Sequence, residues 1–155
     1  AYVRAIELGR SNYTIWGNLG DAYRGVRNKE KAQESYKRAI ELAEGMLRIN
    51  PKDVEARAAL AFYYVNSGDS QRAQTYVATV RREAPKNVYV LKKSISVYEL
   101  LGERDLALRA LEEYATIGGS LEEIRKDPDL DELRKDPRYA SLVKNAKRAI
   151  AEVKK

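Results

Sequence analysis

Three aspartates at alternate positions, Asp127, Asp129 and Asp131, come nearest to a constellation that could do chemistry in this chain. Alternating carboxylates open a calcium loop, where their oxygens surround the ion. Such a loop also needs Gly at its sixth position for a sharp turn and Glu at its twelfth for bidentate ligation. Those positions hold Glu132 and Arg138, so the pattern fails where the ion needs it. Helix capping accounts for the acids better. Asp127-Pro128 and Asp136-Pro137 each place a capping acceptor before a proline suited to the first helical position. The paired carboxylates Glu112-Glu113 and Glu122-Glu123 are neighbours on helical stretches, so their side chains diverge and cannot share a proton.

Composition closes other routes. The 155 residues include no histidine and no cysteine, which removes the commonest general base, the commonest metal ligand and any thiolate site. No G-x-x-x-x-G-K-[ST], G-x-G-x-x-G or G-x-S-x-G motif occurs. Neither catalysis nor a cofactor or metal is expected of this segment. Lys and Arg number 29 against 23 acids, a net charge of +6, and the two signs are interspersed without a block of five. A basic set at Arg24, Arg27, Lys29, Lys31, Lys37 and Arg38 could touch nucleic acid. Glu30 and Glu34 interrupt it, so a solvated helical surface is the better account. No stretch reaches the ~18 uninterrupted apolar residues of a membrane helix, and no membrane contact is expected from this segment.

The elements that carry these residues repeat. Arg4-Ala5-Ile6-Glu7-Leu8 returns as Arg38-Ala39-Ile40-Glu41-Leu42, an offset of 34 that Tyr2 and Tyr36 share. Pro51 and Pro85, Tyr64 and Tyr98, Gly68 and Gly102, and Ala73 and Ala107 keep the same spacing. Each copy reads as helix, tight turn, helix. Gly68-Asp69 and Gly102-Glu103 mark turns where positive φ is needed, and Asn50-Pro51 and Ala84-Pro85 end the second helices. Small residues at Gly20, Ala32, Ala39, Ala61, Ala73 and Ala107 allow close helix approach, and the large aromatic and aliphatic positions fill the space between pairs.

Trp16-x-x-Leu19-Gly20-x-x-Tyr23 followed by Ala32-x-x-x-Tyr36 and Ala39 resembles the tetratricopeptide repeat. Two further copies keep the frame, with Leu60, Ala61, Tyr64, Gly68 and Ala73, and with Leu91, Ile95, Tyr98, Gly102 and Ala107; Arg57 replaces the Trp and Ser94 the Leu. The resemblance implies an all-α, right-handed superhelical solenoid of antiparallel helix pairs. As a single domain, 1–155 divides into a truncated repeat over 1–12, repeats over 13–53, 54–87 and 88–119, and a cap over 120–155. Leu19 to Leu60 and Ala32 to Ala73 span 41 residues, which places seven extra residues between Ala39 and Pro51. Seven residues are close to two turns, so that helix should run unbroken to Ile49, keep its buried face and project about 10 Å further. Tyr2 and Ala5 stand at second-helix positions with no first helix before them, as expected of a piece of a longer protein.

Beyond Ile117, Gly118-Gly119-Ser120 ends one helix and caps another. From Pro137, the stripe Tyr139, Leu142, Val143, Ala146, Ile150 and Val153 predicts an amphipathic capping helix with one face on the last repeat. Ser120 to Leu130, with Asp136-Pro137-Arg138-Tyr139, also resembles the tail that closes repeat arrays in bacterial serine/threonine kinases, adenylate cyclases and winged-helix regulators.

In the resembling family the first helices line a groove. Carried onto this chain, the groove comprises Thr14, Asn18, Asp21 and Arg24, with Gly17, in the first repeat. Glu55, Phe62 and Val65, with Ala58, follow in the second, and Tyr89, Lys92, Lys93 and Ser96, with Glu99, in the third. Phe62 and Tyr89 are expected as apolar anchors, and Lys92 and Lys93 as contacts for an acidic residue. The family's carboxylate clamp for chaperone tails maps to Gly17, Asp21, Ala59, Tyr89 and Lys93; only Lys93 fits, so that ligand is not expected. The expected function is a protein- or peptide-binding scaffold within a larger bacterial signalling protein, the cytoplasm being the favoured compartment. A spacer or homodimerisation module with an idle groove is the alternative, and nucleic-acid binding ranks below both.

Overall fold

The computed structural model describes the backbone of residues 2–155 and the side chains of residues 12–155. Its regular structure is helical, with no strand among the described residues. The elements are α1 (Tyr2–Gly25), α2 (Lys29–Ile49), α3 (Val54–Asn66), α4 (Ser70–Glu83), α5 (Val88–Leu100), α6 (Arg104–Thr116), α7 (Leu121–Lys126), a 3₁₀ turn (Pro128–Leu130), α8 (Asp131–Lys135) and α9 (Pro137–Val153). Helices pack as consecutive pairs: α1 with α2, α3 with α4, α5 with α6. The chain divides into two compact units, Ala1–Glu83 and Ala84–Lys155, at the helix end that Ala84-Pro85 marks, where the sequence reading expected a single domain.

In the first unit, α2 also packs on α3. Asp53 caps α3 by accepting from the Ala56 N–H at 3.0 Å, and Asp69 accepts from the Arg72 N–H at 3.0 Å. Gly68 takes the expected positive φ, 92°. The matching turn between α1 and α2 has no glycine. Arg27 occupies the left-handed region there, at φ 59°, a conformation that costs an L-residue roughly 1–2 kcal/mol. No turn separates residues 2–12 from Tyr13, because α1 runs through. The prolines that interrupt the chain at 51 and 85 have Arg10 in their place, so nothing stops the helix. The side chains of Tyr2 and Ala5 lie outside the described residues.

α2 is unbroken to Ile49, at 21 residues against 14 for α4. Its buried stripe, Ala32, Ser35, Tyr36, Ala39, Ala43 and Met46, continues through the two inserted turns. Those turns are packed: Ala43 and Met46 are buried, and the Tyr64 hydroxyl of α3 donates to Glu44. Trp16 and Leu19, expected as interior positions, are 37% and 36% exposed.

In the second unit, Val90, Leu91, Ile95 and Val97 of α5 are buried with Ala107, Leu111 and Tyr114 of α6. Gly102 and Gly118 take φ values of 78° and 88°. Gly119 lies under the Tyr114 ring, where a Cβ would sit 2.5 Å from ring carbons. Ser120 caps α7 by accepting from the Glu123 N–H. Behind it, Ile124, Leu130 and Leu133 are fully buried. Arg134 ties this short segment together, its guanidinium donating to the Ile124 and Asp127 carbonyls at 2.8 and 2.7 Å. Asp136 caps α9 with Pro137 at its start, as expected. The expected capping face of α9 is only partly covered, however. None of its side chains is fully buried, and exposure reaches 43% at Ile150 and 88% at Val153. The sealed contacts of the tail come from α7 to α8 instead.

Candidate functional site

The groove positions on the first unit start from two close approaches. A Cβ on Gly17 would lie 2.5 Å from the Tyr63 ring, and one on Gly20 2.6 Å from the Tyr36 ring. Gly17 is therefore an interior contact between α1 and α3 and not a surface position. Around it gather Tyr13, Tyr36, Phe62 and Tyr63, whose ring centroids lie 6.2–6.5 Å apart, mostly edge-on. Such pairs contribute roughly 0.5–1.5 kcal/mol each beyond their burial.

Phe62 belongs to this cluster. It is 4% exposed, so it is not the exposed apolar anchor expected of a groove residue. The cover comes from Arg24, whose guanidinium lies 5.9 Å from the ring centroid and donates to Asn66 Oδ1 at 2.7 Å. Asp21 is likewise engaged within the fold, accepting from the Tyr36 hydroxyl at 2.5 Å and from Arg24 at 3.5 Å. Ala58 and Ala59 are buried. Thr14 and Asn18 are exposed on α1, while Glu55 and Val65 are half-buried on α3. Spacing alone did not reveal that Arg24 closes over Phe62, because the two are 38 positions apart on different helices.

A second link in this unit had no signal in the repeat frame. Tyr64 stacks on Tyr76 with centroids 5.6 Å apart, and Arg72 lies over its ring at 5.4 Å. Burial, then the hydrogen bond to the Glu44 carboxylate, push the Tyr64 hydroxyl up to about 12. Glu44 reaches it only because of the two turns added to α2.

On the second unit the groove positions lie on α5. Seven of its residues are buried, Ser96 among them, so the Ser96 hydroxyl is not a surface contact. Tyr89, Lys92 and Lys93 are half-buried. Lys92 Nζ reaches Glu123 of α7 at 2.5 Å, and Lys93 Nζ lies 5.8 Å from the Tyr89 ring centroid. Glu99 binds Arg104 through both carboxylate oxygens. Asp127 faces the same lysines. Burial raises its carboxyl, against the pull of the Asp129 N–H and the charges of Lys92 and Lys93. The former calcium candidates thus have other partners: Asp127 caps the 3₁₀ turn and Asp131 pairs with Arg134. The basic set of the first unit is similarly occupied in part, with Lys31 over the Tyr23 ring and Arg38 on Glu41 at 2.7 Å.

This arrangement offers shaped, charged helix surface. Among the described residues, no group of three or more acids could hold a metal, and no helix is long and apolar enough to cross a membrane. No curated protein matches the chain. Two family models do, both described as tetratricopeptide repeat, one over residues 13–45 and the other over 30–94. Repeats of this family generally mediate protein–protein interaction. Their matches together span just over half of the sequence, across the helix pairs whose small-residue contacts and turns were described above. The chain belongs to the tetratricopeptide-repeat family.

Proposed function

We propose that this chain is the protein-binding segment of a larger signalling protein and that the exposed positions of its first helices do the binding. The signalling context rests on the resemblance of residues 120–139 to the tails of bacterial repeat arrays. One observation carries the choice of surface. α5 is buried along most of its length, yet it keeps two adjacent lysines and a tyrosine at its surface. Burial costs a lysine much of its hydration, so Lys92 and Lys93 are placed against the local packing preference. Their present partners are Glu123 and Tyr89, with Asp127 close by. An acidic residue of a bound peptide would take the place of Glu123 on Lys92, and the Tyr89 ring would supply apolar contact. On the first unit, Thr14 and Asn18 supply polar contacts.

Phe62→Ala is not a usable probe, since it would open the aromatic cluster. The informative variant is Lys92→Glu with Lys93→Glu, compared with Lys144→Glu as a control of equal type. Both are assayed by capture of partners from the source cell and by thermal melting. Loss of a partner in the first variant alone, with an unchanged melt, supports the reading. Retention of every partner would mean that α5 is occupied by its own tail and that the array acts as a spacer; dimerisation is then measured by sedimentation.

A further inference from the structure

The exposed flank of α1 has a register of its own. Along this 24-residue helix, Tyr2, Ala5, Gly9, Asn12, Trp16 and Leu19 follow one another at alternating spacings of three and four. That alternation keeps one seam in line, which a second helix can follow. Where side chains are described, the seam is open: Asn12 is exposed, Trp16 and Leu19 are 37% and 36% exposed, and Ile15 beside them 60%. The helix buries a different side within its own unit, through Tyr13, Gly17 and Gly20.

The repeat frame says what covers such a seam. α3 has Leu60 where α1 has Leu19, and Leu60 is fully buried, with α2 packed on α3. Residues 4–8 have the same sequence as Arg38-Ala39-Ile40-Glu41-Leu42 of α2, in which Ala39 is fully buried. The chain therefore carries a seam like that of α3 and, just before it, a segment like that of α2. Both stand on one continuous helix, and a helix cannot turn back along itself. A second copy supplies to each the partner it lacks.

Size and charge agree. With two copies of α1 antiparallel, Trp16 stands opposite Ala5 of the other copy, Leu19 opposite Tyr2, and Asn12 opposite Gly9. The bulkiest seam residue thus meets a small one, as close packing requires. A parallel pair would set Trp16 against Trp16 and Gly9 against Gly9, crowding one layer and emptying another. The antiparallel pairing is reciprocal, as a two-fold interface demands. The positions that flank the seam, Ile6, Leu8, Tyr13 and Ile15, are uncharged, so two copies meet without like-charge repulsion.

We propose that α1 is a dimerisation helix, and that residues 2–19 of two copies pair antiparallel along this seam. This does not depend on α5 being a binding surface. The test is sedimentation equilibrium of the full chain at micromolar concentration, with Trp16, its only tryptophan, as a fluorescent reporter. A dimer is expected, and its dissociation on dilution should move the Trp16 emission to longer wavelength. Ala5→Glu and Trp16→Arg should each raise the dimer dissociation constant about tenfold or more, since each sets a charge against an apolar partner. Mixing the two variants, or placing both substitutions in one chain, should recover the dimer, because the new carboxylate then faces the new guanidinium of the other copy. Leu19→Arg, at a second exposed position, should weaken the dimer likewise and serves if Trp16→Arg does not fold. The proposal is overturned if the chain sediments as a monomer at every concentration; a covered Trp16 in that monomer would mean that the chain's own residues fold back on the seam. It is also overturned if the dimer survives Ala5→Glu and Leu19→Arg, or if the mixture and the double variant stay monomeric.

Discussion

Residues 121–135 and 137–153 follow one another in the second unit and part company in how they are held. The first stretch is broken into α7, a 3₁₀ turn and α8, pieces of six, three and five residues. Helices this short are unstable alone in water. Yet each piece contributes one fully buried side chain, Ile124, Leu130 or Leu133, and Arg134 bonds two of their carbonyls. The second stretch is one regular helix of 17 residues with a well-segregated apolar stripe and no fully buried side chain. Periodicity states which face of a helix prefers burial. Whether that face finds a partner depends on where the helix lies, and α9 is fixed chiefly at its first turn.

The sharpest test of this contrast is Leu130→Ala. Removing a fully buried leucine side chain should cost about 2–5 kcal/mol, read as a drop in denaturation midpoint, because the short pieces cannot collapse independently into the void. A cost under about 1 kcal/mol would show that the tail is not packed as described. Next is Arg134→Met, which keeps the stem and deletes the donors to Ile124 and Asp127. We expect a loss of roughly 1–3 kcal/mol, measured in the same way. Arg134→Lys should recover little of it, since one ammonium lacks the guanidinium's fork.

Acid should loosen the anchored end of α9 over the range in which the Asp136 carboxyl is protonated. The hydrogen bonds from the Arg138 side chain and backbone, the side chain first, hold the Asp136 carboxyl down at about 2. Unfolded, the group titrates near 3.8. Its stabilising contribution is therefore complete above that value and is lost as pH falls through the interval to about 2. Melting temperature should drop over this range, and Asp136→Asn should flatten the dependence. Glu122, held at about 2 by Arg125 and Lys126, titrates alongside it, so the difference between parent and variant is the quantity to compare. The smallest effect is expected at the far end of α9. Val153→Ser should change stability by no more than ~0.5 kcal/mol, because the residue is already 88% exposed. A larger loss by thermal melting would mean that the apolar stripe of α9 is covered after all.

The repeat was legible because its physical requirements are local. Gly68, Gly102 and Gly118 had to take positive φ, Pro51 and Pro85 had to follow helix ends, and the alanines had to admit neighbouring helices. The seven-residue insertion could be located to α2 for the same reason, since two added turns leave Ala43 and Met46 in line with Ala39. Arg27 was legible in principle, standing 41 positions before Gly68, but a left-handed arginine leaves no composition signal. The groove was read less well. Its positions came from spacing along single helices, while Arg24 over Phe62 and Tyr63 over Gly17 each join α1 to α3.

The sequence by itself determined the helix pairs, their turns and caps, and which face of each helix is apolar, because all of these depend on residues within a few positions of one another. Tertiary structure decided which apolar faces are covered. It buried Phe62, left Trp16 and Val153 in contact with solvent, engaged Lys92 with Glu123, and set the seal of the tail in α7 and α8. Burial is a property of two surfaces meeting, and a pattern read along one helix contains only one of them.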